Sequence, residues 1–348
     1  MRKTHLLYLL PALAILSCTK DEITDQEFTE EQTTQISETT SLLANVEVAY
    51  PTESGKLKDV YFAGQKITVE QIDGDLIYEG DIIFSEDMVT SSEVKLVYEE
   101  GETPSQQKSV GRTSARWPDN TVYYAIDSNL PDQKRVSDAI SHWESNTSLK
   151  FVKRTSQSNY IHFTTGSGCS SYIGMVGGRQ NISLASGCTT GSTIHEIGHA
   201  VGLWHEQSRI DRDSHIAIQW DNIQSGTEHN FKTYAQSGFD GKEYTSSLDF
   251  GSIMMYGPYS FSNNGQPTIT RANGSSYSVQ RTSLSNGDLQ GIKSMYPSTT
   301  SPTEPTYING EYYTIAGLTV LRYYDNWYYN GPYGMRAVKL VNGIWYYR

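Results

Sequence analysis

Cysteine is scarce: three in 348 residues. That excludes a miniprotein held together by a disulfide framework. Charged side chains make up only 19% of the chain, too few for a chain kept unfolded by charge. Positive charge is the scarcer sign, with Lys+Arg 27 against Asp+Glu 39 and a formal net charge of −12, which argues against a nucleic-acid role. Long apolar runs are missing as well. The longest, Leu6 to Leu16, is too short to span a bilayer. What is abundant is tyrosine, at 25 residues, and acid concentrated in one place. Residues 19–108 hold 21 Asp+Glu against six Lys, so an acidic segment precedes a nearly neutral body.

Residues 1–17, with Arg2 and Lys3 ahead of the apolar run, read as a secretory signal. Cys18 follows Ile15-Leu16-Ser17, which resembles a bacterial lipoprotein signal and implies lipidation at Cys18. Lys20-Asp21-Glu22 behind it resembles a surface-export tag of Gram-negative lipoproteins. The expected location is secreted, extracellular or on a bacterial surface.

Composition divides the remainder. Residues 18–110 form an acidic pro-segment that begins with a Thr/Glu/Ser/Gln-rich tether and continues with short apolar stretches such as Leu76-Ile77-Tyr78 and Ile82-Ile83-Phe84. Its end, from Gly101 to Arg116, lacks any apolar run and looks open to proteolysis. Residues 111–298 form the next domain. There Val122–Ile126 is strand-like, and Val136, Ile140 and Trp143 mark one helical face. A helix is expected from a cap at Ser192 or Thr193 to about Gly202, and another over Asn286–Ser294. Residues 299–306 are a Pro/Thr linker, and 307–348 a Tyr-rich tail. In that tail Asn309-Gly-Glu-Tyr-Tyr, Asn326-Trp-Tyr-Tyr and Asn342-Gly-Ile-Trp-Tyr-Tyr recur, and Asn-Gly between strand-like runs signals hairpins. A small all-β repeat module follows, with aromatics suited to a surface or polymer ligand.

The chemistry is concentrated in Thr193-Ile-His195-Glu196-Ile-Gly-His199-Ala-Val-Gly202-Leu-Trp-His205-Glu206. His195 and His199 are one helical turn apart and face the same side. Gly202 lets the chain leave the helix with a positive φ and bring His205 round as third ligand. Three converging imidazoles suit one Zn²⁺. Glu196 lies beside them and can take a proton from an attacking water and pass it to a leaving amine. A chance match of all five fixed positions in a chain this long is about one in ten thousand.

This is the extended motif of the metzincin metalloproteases. Within them the chain resembles the astacin family over about residues 116–297, since Glu206 follows the third histidine and Gln207–Asp213 also matches. The resemblance implies an α+β fold, with a two-lobed catalytic domain built on a twisted sheet and a zinc-binding helix. It implies Met254, in Ser252-Ile-Met-Met-Tyr256, as the methionine beneath the metal. Tyr256 becomes an additional zinc ligand that swings away to stabilise the oxyanion. Met255 departs from the histidine most common there. Cys169 and Cys188 correspond to a family disulfide; the family's other common disulfide is missing, which points to a bacterial branch. The strand Arg179–Leu184 would be the cleft edge that pairs with an extended substrate. Tyr78-Glu79-Gly80-Asp81 resembles the aromatic-x-Gly-Asp element in which the aspartate, here Asp81, reaches zinc and keeps the enzyme latent.

By the same resemblance Arg281 forms a basic S1′ pocket for acidic residues at P1′, with Arg271 as the alternative. The new N-terminus made by an activating protease would pack near Glu206. The implied function is a zinc endopeptidase acting on proteins or peptides. The alternative is a catalytically silent surface-binding lipoprotein on a protease scaffold, and an intact Glu196 discriminates against it.

Overall fold

The computed structural model describes residues 47–92, 112, 115–297 and 310–348, with short gaps at 63–64, 238, 240, 311, 316–317, 324–325, 332–333 and 342–343. The signal, Cys18, the tether, most of the protease-sensitive stretch and the 299–306 linker lie outside the described residues.

The upstream segment is all strand. It contains β1 (Lys56–Phe62), β2 (Gln65–Ile72), β3 (Asp75–Tyr78), β4 (Ile82–Phe84) and β5 (Val89–Thr90). β1 to β4 pair antiparallel in sequence order, and β5 closes on β1. Period-two patterning sends Val60, Phe62, Ile67, Val69, Leu76 and Phe84 to one buried face. Trp204, Tyr234 and Phe239 from the downstream domain complete that core.

The downstream domain supplies β6 (Thr121–Ile126), β7 (Lys150–Lys153), β8 (Tyr160–Thr164), β9 (Cys169–Tyr172) and β10 (Arg179–Leu184). All ten strands form one sheet in the order β5-β1-β2-β3-β4-β9-β10-β8-β6-β7. The two halves join where β4 runs parallel to β9, with Ile82 opposite Ser171. This corrects one expectation. Arg179–Leu184 is an interior strand, held by β8 on one side and β9 on the other. The strand bordering the upstream segment is β9.

Helix α1 (Lys134–Asn146) buries Val136, Ala139, Ile140 and Trp143, the face its spacing predicts. Trp143 Nε1 donates to Ile194 O at 3.2 Å and so fixes α1 against α2 (Thr190–Ala200). The cap of α2 is Thr189, earlier than expected. Its hydroxyl accepts from Ser192 N while the Ser192 hydroxyl accepts from Thr189 N. Helix α3 (Asn286–Met295) is capped in the same way by Ser285 and Asp288.

β11 (Ile216–Ile218) and β12 (Ile269–Arg271) form a separate antiparallel pair. The tail folds as β13 (Tyr312–Ile315), β14 (Leu318–Tyr323), β15 (Asn326–Gly331), β16 (Gly334–Val341) and β17 (Ile344–Tyr347), a five-stranded antiparallel meander; Gly310 precedes β13, and the second Asn-Gly, at 342–343, lies outside the described residues. No helix among the described residues is long and apolar enough to cross a membrane.

Candidate metal and catalytic site

α2 is buried from Gly191 to Ala200, which places His195, Glu196 and His199 in the interior. The helix ends where Gly202 takes φ +107°, the left-handed geometry the sequence requires for the turn toward His205. The three imidazole centroids are 4.6 to 5.4 Å apart. Each Nδ1 has an acceptor at 2.8 Å: Ile253 O for His195, Leu203 O for His199 and Glu79 Oε2 for His205. Those bonds fix the rings and leave each Nε2 free to face inward.

What the Nε2 atoms face is Asp81. Its Oδ2 lies 3.2 Å from Nε2 of His195 and of His205, and its Oδ1 lies 3.6 Å from Nε2 of His199. The hairpin turn between β3 and β4 delivers it. Glu79 and Gly80 both adopt left-handed φ there, and a Cβ on Gly80 would fall 2.9 Å from the Phe261 ring. Only glycine suits that position.

The donor set fits a metal ion. Asp81, His195, His199 and His205 are all buried, with ligand atoms within 4.8 Å of one another. His199 Nε2, Asp81 Oδ1 and both Glu196 carboxylate oxygens are buried without a hydrogen-bond partner. Such atoms are costly unless an ion or water satisfies them. Nitrogen and carboxylate donors in a four-ligand group suit zinc.

The imidazoles of His199 and His205 differ in their electrostatics. Burial holds the His199 imidazole down to about 4, against the attraction of Asp81, and so keeps it neutral as a ligand must be. Burial would lower His205 too, but Asp81 and Glu79 outweigh it and raise that imidazole to about 9. Burial would push the Asp81 carboxyl up, yet the surrounding imidazoles hold it well below the usual carboxylate range. A metal cation at this point competes with protons for the same Nε2 atoms. Glu196 goes the other way. Burial, helped by repulsion from Asp81 and Glu47, pushes its carboxyl well above the usual range.

Met254 is buried beneath α2. A Cβ on Gly198 would lie 2.7 Å from its Sδ, so this glycine is what lets the methionine approach. Met254 O also accepts from Glu206 N at 3.0 Å. Tyr256, a metal ligand by the resemblance, packs beside the histidine group, its ring centroid 4.6 Å from that of His205. Its hydroxyl donates to Glu79 O at 2.5 Å. Glu206 is buried, accepts from Asp249 N at 2.8 Å and lines a cavity of about 20 Å³ with Trp204, Met254 and Asp288. Cys169 and Cys188 are bonded, tying the start of β9 to the loop before α2.

Arg281 is not on the surface. Its Nε lies 2.8 Å from Glu47 Oε2, and its Nη2 donates to Met255 O at 2.9 Å. Arg271 instead lies over the Phe250 ring. Two residues at the site had no role in the sequence reading. Glu79 was the unassigned position of the aromatic-x-Gly-Asp element, and Glu47 carried no local signal at all.

A buried three-histidine group, an unpaired glutamate on the same helix and a methionine beneath them define a metallopeptidase scaffold of the metzincin type. Residues 109–297 match the family model described as astacin, peptidase family M12A, and the chain belongs to that family. It is 41% identical over 203 residues to blastula protease 10 of Paracentrotus lividus, covering 55% of this chain and 34% of that one. It is 38% identical over 203 residues to flavastacin of Elizabethkingia meningoseptica, covering 55% and 45%. Among solved structures, high choriolytic enzyme 1 of Oryzias latipes, a hatching enzyme zinc-protease, is 31% identical, covers 52% of this chain and 92% of that chain, and has a TM-score of 0.48. The chain thus spans 34% and 45% of the length of these two curated relatives.

Proposed function

We propose that the chain is an exported zinc endopeptidase made in a latent form. The observation that carries this reading is the Asp81 carboxylate among the three Nε2 atoms, beside a Glu196 without a partner. His195, His199 and His205 would hold the zinc, with Asp81 in the fourth place. Bound zinc supplies Lewis acidity toward a peptide carbonyl.

The chain's own residues do the rest. Glu196 accepts a proton from the attacking water and delivers it to the leaving amine. Tyr256 would release Glu79 O and donate its hydroxyl to the developing oxyanion. When the upstream segment leaves, β9 loses β4 and becomes an edge on which an extended peptide can form a strand. Arg281, buried and cationic, would hold an acidic side chain at P1′.

Activation fits a cut in 106–116. Arg112 is itself buried, its N donating to Gly202 O at 2.8 Å and its Nη1 to Ile173 O at 3.1 Å, so the bond cut lies before it. Such a cut removes Asp81 and, if Cys18 is lipidated, frees the enzyme from its anchor together. The new N-terminus would then approach Glu206.

The tail would hold the enzyme on a surface or polymer. Tyr312 and Tyr323 are 56% and 47% exposed, so the meander presents aromatic rings to solvent, while Val320 and Val338 are buried. The silent-scaffold alternative has no observation in its favour, since Glu196 and all three histidines are in place.

The test is mass spectrometry of the processed protein with zinc content and cleavage products. One zinc per catalytic domain, a mature chain lacking Asp81 and peptide products with acidic residues after the cut are expected. A metal-free, inactive mature chain would overturn the reading.

A further inference from the structure

Asp81 is not the only acidic side chain that the upstream segment inserts into the catalytic half. Ahead of β1, residues 47–50 run past the turn that carries Asp81 and the start of β9, with Ala49 packed among Ile72, Ile77 and Ile83. Ala49 N donates to Gly80 O at 2.8 Å, and Cys169 N donates to Val48 O at 3.1 Å. The passage is tight: a Cβ on Gly168 would overlap Val48 O. This fixes Glu47, whose Oε2 lies 2.8 Å from Arg281 Nε, with the two side chains only 4% and 9% exposed.

The arginine is held from the other side. Its Nη2 donates to Met255 O at 2.9 Å and its Nη1 to Gln280 O at 3.0 Å. Its own carbonyl packs on Gly191, at the start of α2, where no Cβ fits. The Arg281 backbone is therefore set against the start of the zinc helix and its guanidinium against the methionine turn, where Glu47 is a carboxylate partner. Glu47 is ionised there. Burial opposes the charge, but Arg281 and then His195 outweigh it. A buried ion pair of this kind is weak as a source of stability, and removing one partner leaves a charge that needs another.

We infer that Glu47 is a built-in stand-in for an acidic substrate side chain. It occupies the Arg281 subsite as Asp81 occupies the metal site, so the upstream segment closes the cleft at two points of different chemistry. When the segment leaves, Arg281 loses its carboxylate and takes the next one offered, from an acidic peptide. This inference rests on the reading of Arg281 given above.

The test uses the full-length chain carrying Asp81→Ala, alone and combined with Glu47→Ala or Glu47→Gln. Two quenched peptides are assayed, identical save for Asp or Ala after the scissile bond. Adding Glu47→Ala should speed hydrolysis of the Asp peptide about tenfold or more and that of the Ala peptide less than about threefold, because the bond released is a charged one. Glu47→Gln keeps the shape without the charge and should shift the rates in the same direction. Equal gains on both peptides, or none on either, would overturn the inference. The mature enzyme, given the same peptides, separates the two levels. A preference for Asp with inert Glu47 variants removes this inference and leaves the Arg281 reading standing. No preference for Asp removes both.

Discussion

The hydroxyl of Tyr256 donates to the backbone carbonyl of Glu79 at 2.5 Å, across 177 positions of sequence. The tyrosine proposed to act on the oxyanion is thus tied to the turn that carries Asp81. Tyr256→Phe should lower kcat of the mature enzyme more than it raises KM, because the hydroxyl acts in the transition state. Steady-state kinetics on one peptide decide it. A change confined to KM would contradict the assigned role.

Glu196→Gln should keep the fold and the metal but lose about 10²–10⁴-fold in peptide hydrolysis, the usual worth of general acid–base help. Zinc content and turnover measured on the same preparation test this. Activity near that of the wild type would remove Glu196 from the mechanism.

Gly198→Ala tests the methionine beneath the helix. The added Cβ would stand 2.7 Å from Met254 Sδ, inside a fully buried layer. Overpacking of this kind typically costs about 1–3 kcal/mol. A lowered midpoint in thermal unfolding is expected, and Met254→Ala in the same chain should recover part of the loss. An unchanged midpoint would mean that the close approach carries no packing constraint.

Deleting residues 299–348 should leave small-peptide hydrolysis nearly unchanged and weaken retention on insoluble material. The described catalytic strands pair among themselves, and the meander β13–β17 is a separate sheet. Loss of peptidase activity on deletion would make the tail part of the catalytic fold.

The residues legible in the sequence were those whose roles depend on local spacing. His195, Glu196 and His199 are placed by one helical turn, and Gly202 by the φ a helix exit requires. The α1 face followed from periodicity in the same way. Contacts between distant segments were not legible. The resemblance puts the cleft edge on Arg179–Leu184, but the short strand Cys169–Tyr172, with no apolar run to announce it, lies between that strand and β4. The Thr189 cap was missed because Ser192, which bonds back to it, looks like a cap by itself. Glu47 meets Arg281 across 234 positions and leaves no pattern in either neighbourhood.

The most direct measurement is the peptidase rate of the uncleaved, zinc-loaded chain with and without Asp81→Ala. A carboxylate that touches all three imidazoles should hold the wild-type chain silent. The variant should gain about tenfold or more before any cleavage, since a charged hydrogen-bonded contact is removed. Equal rates for the two uncleaved chains would contradict latency through Asp81.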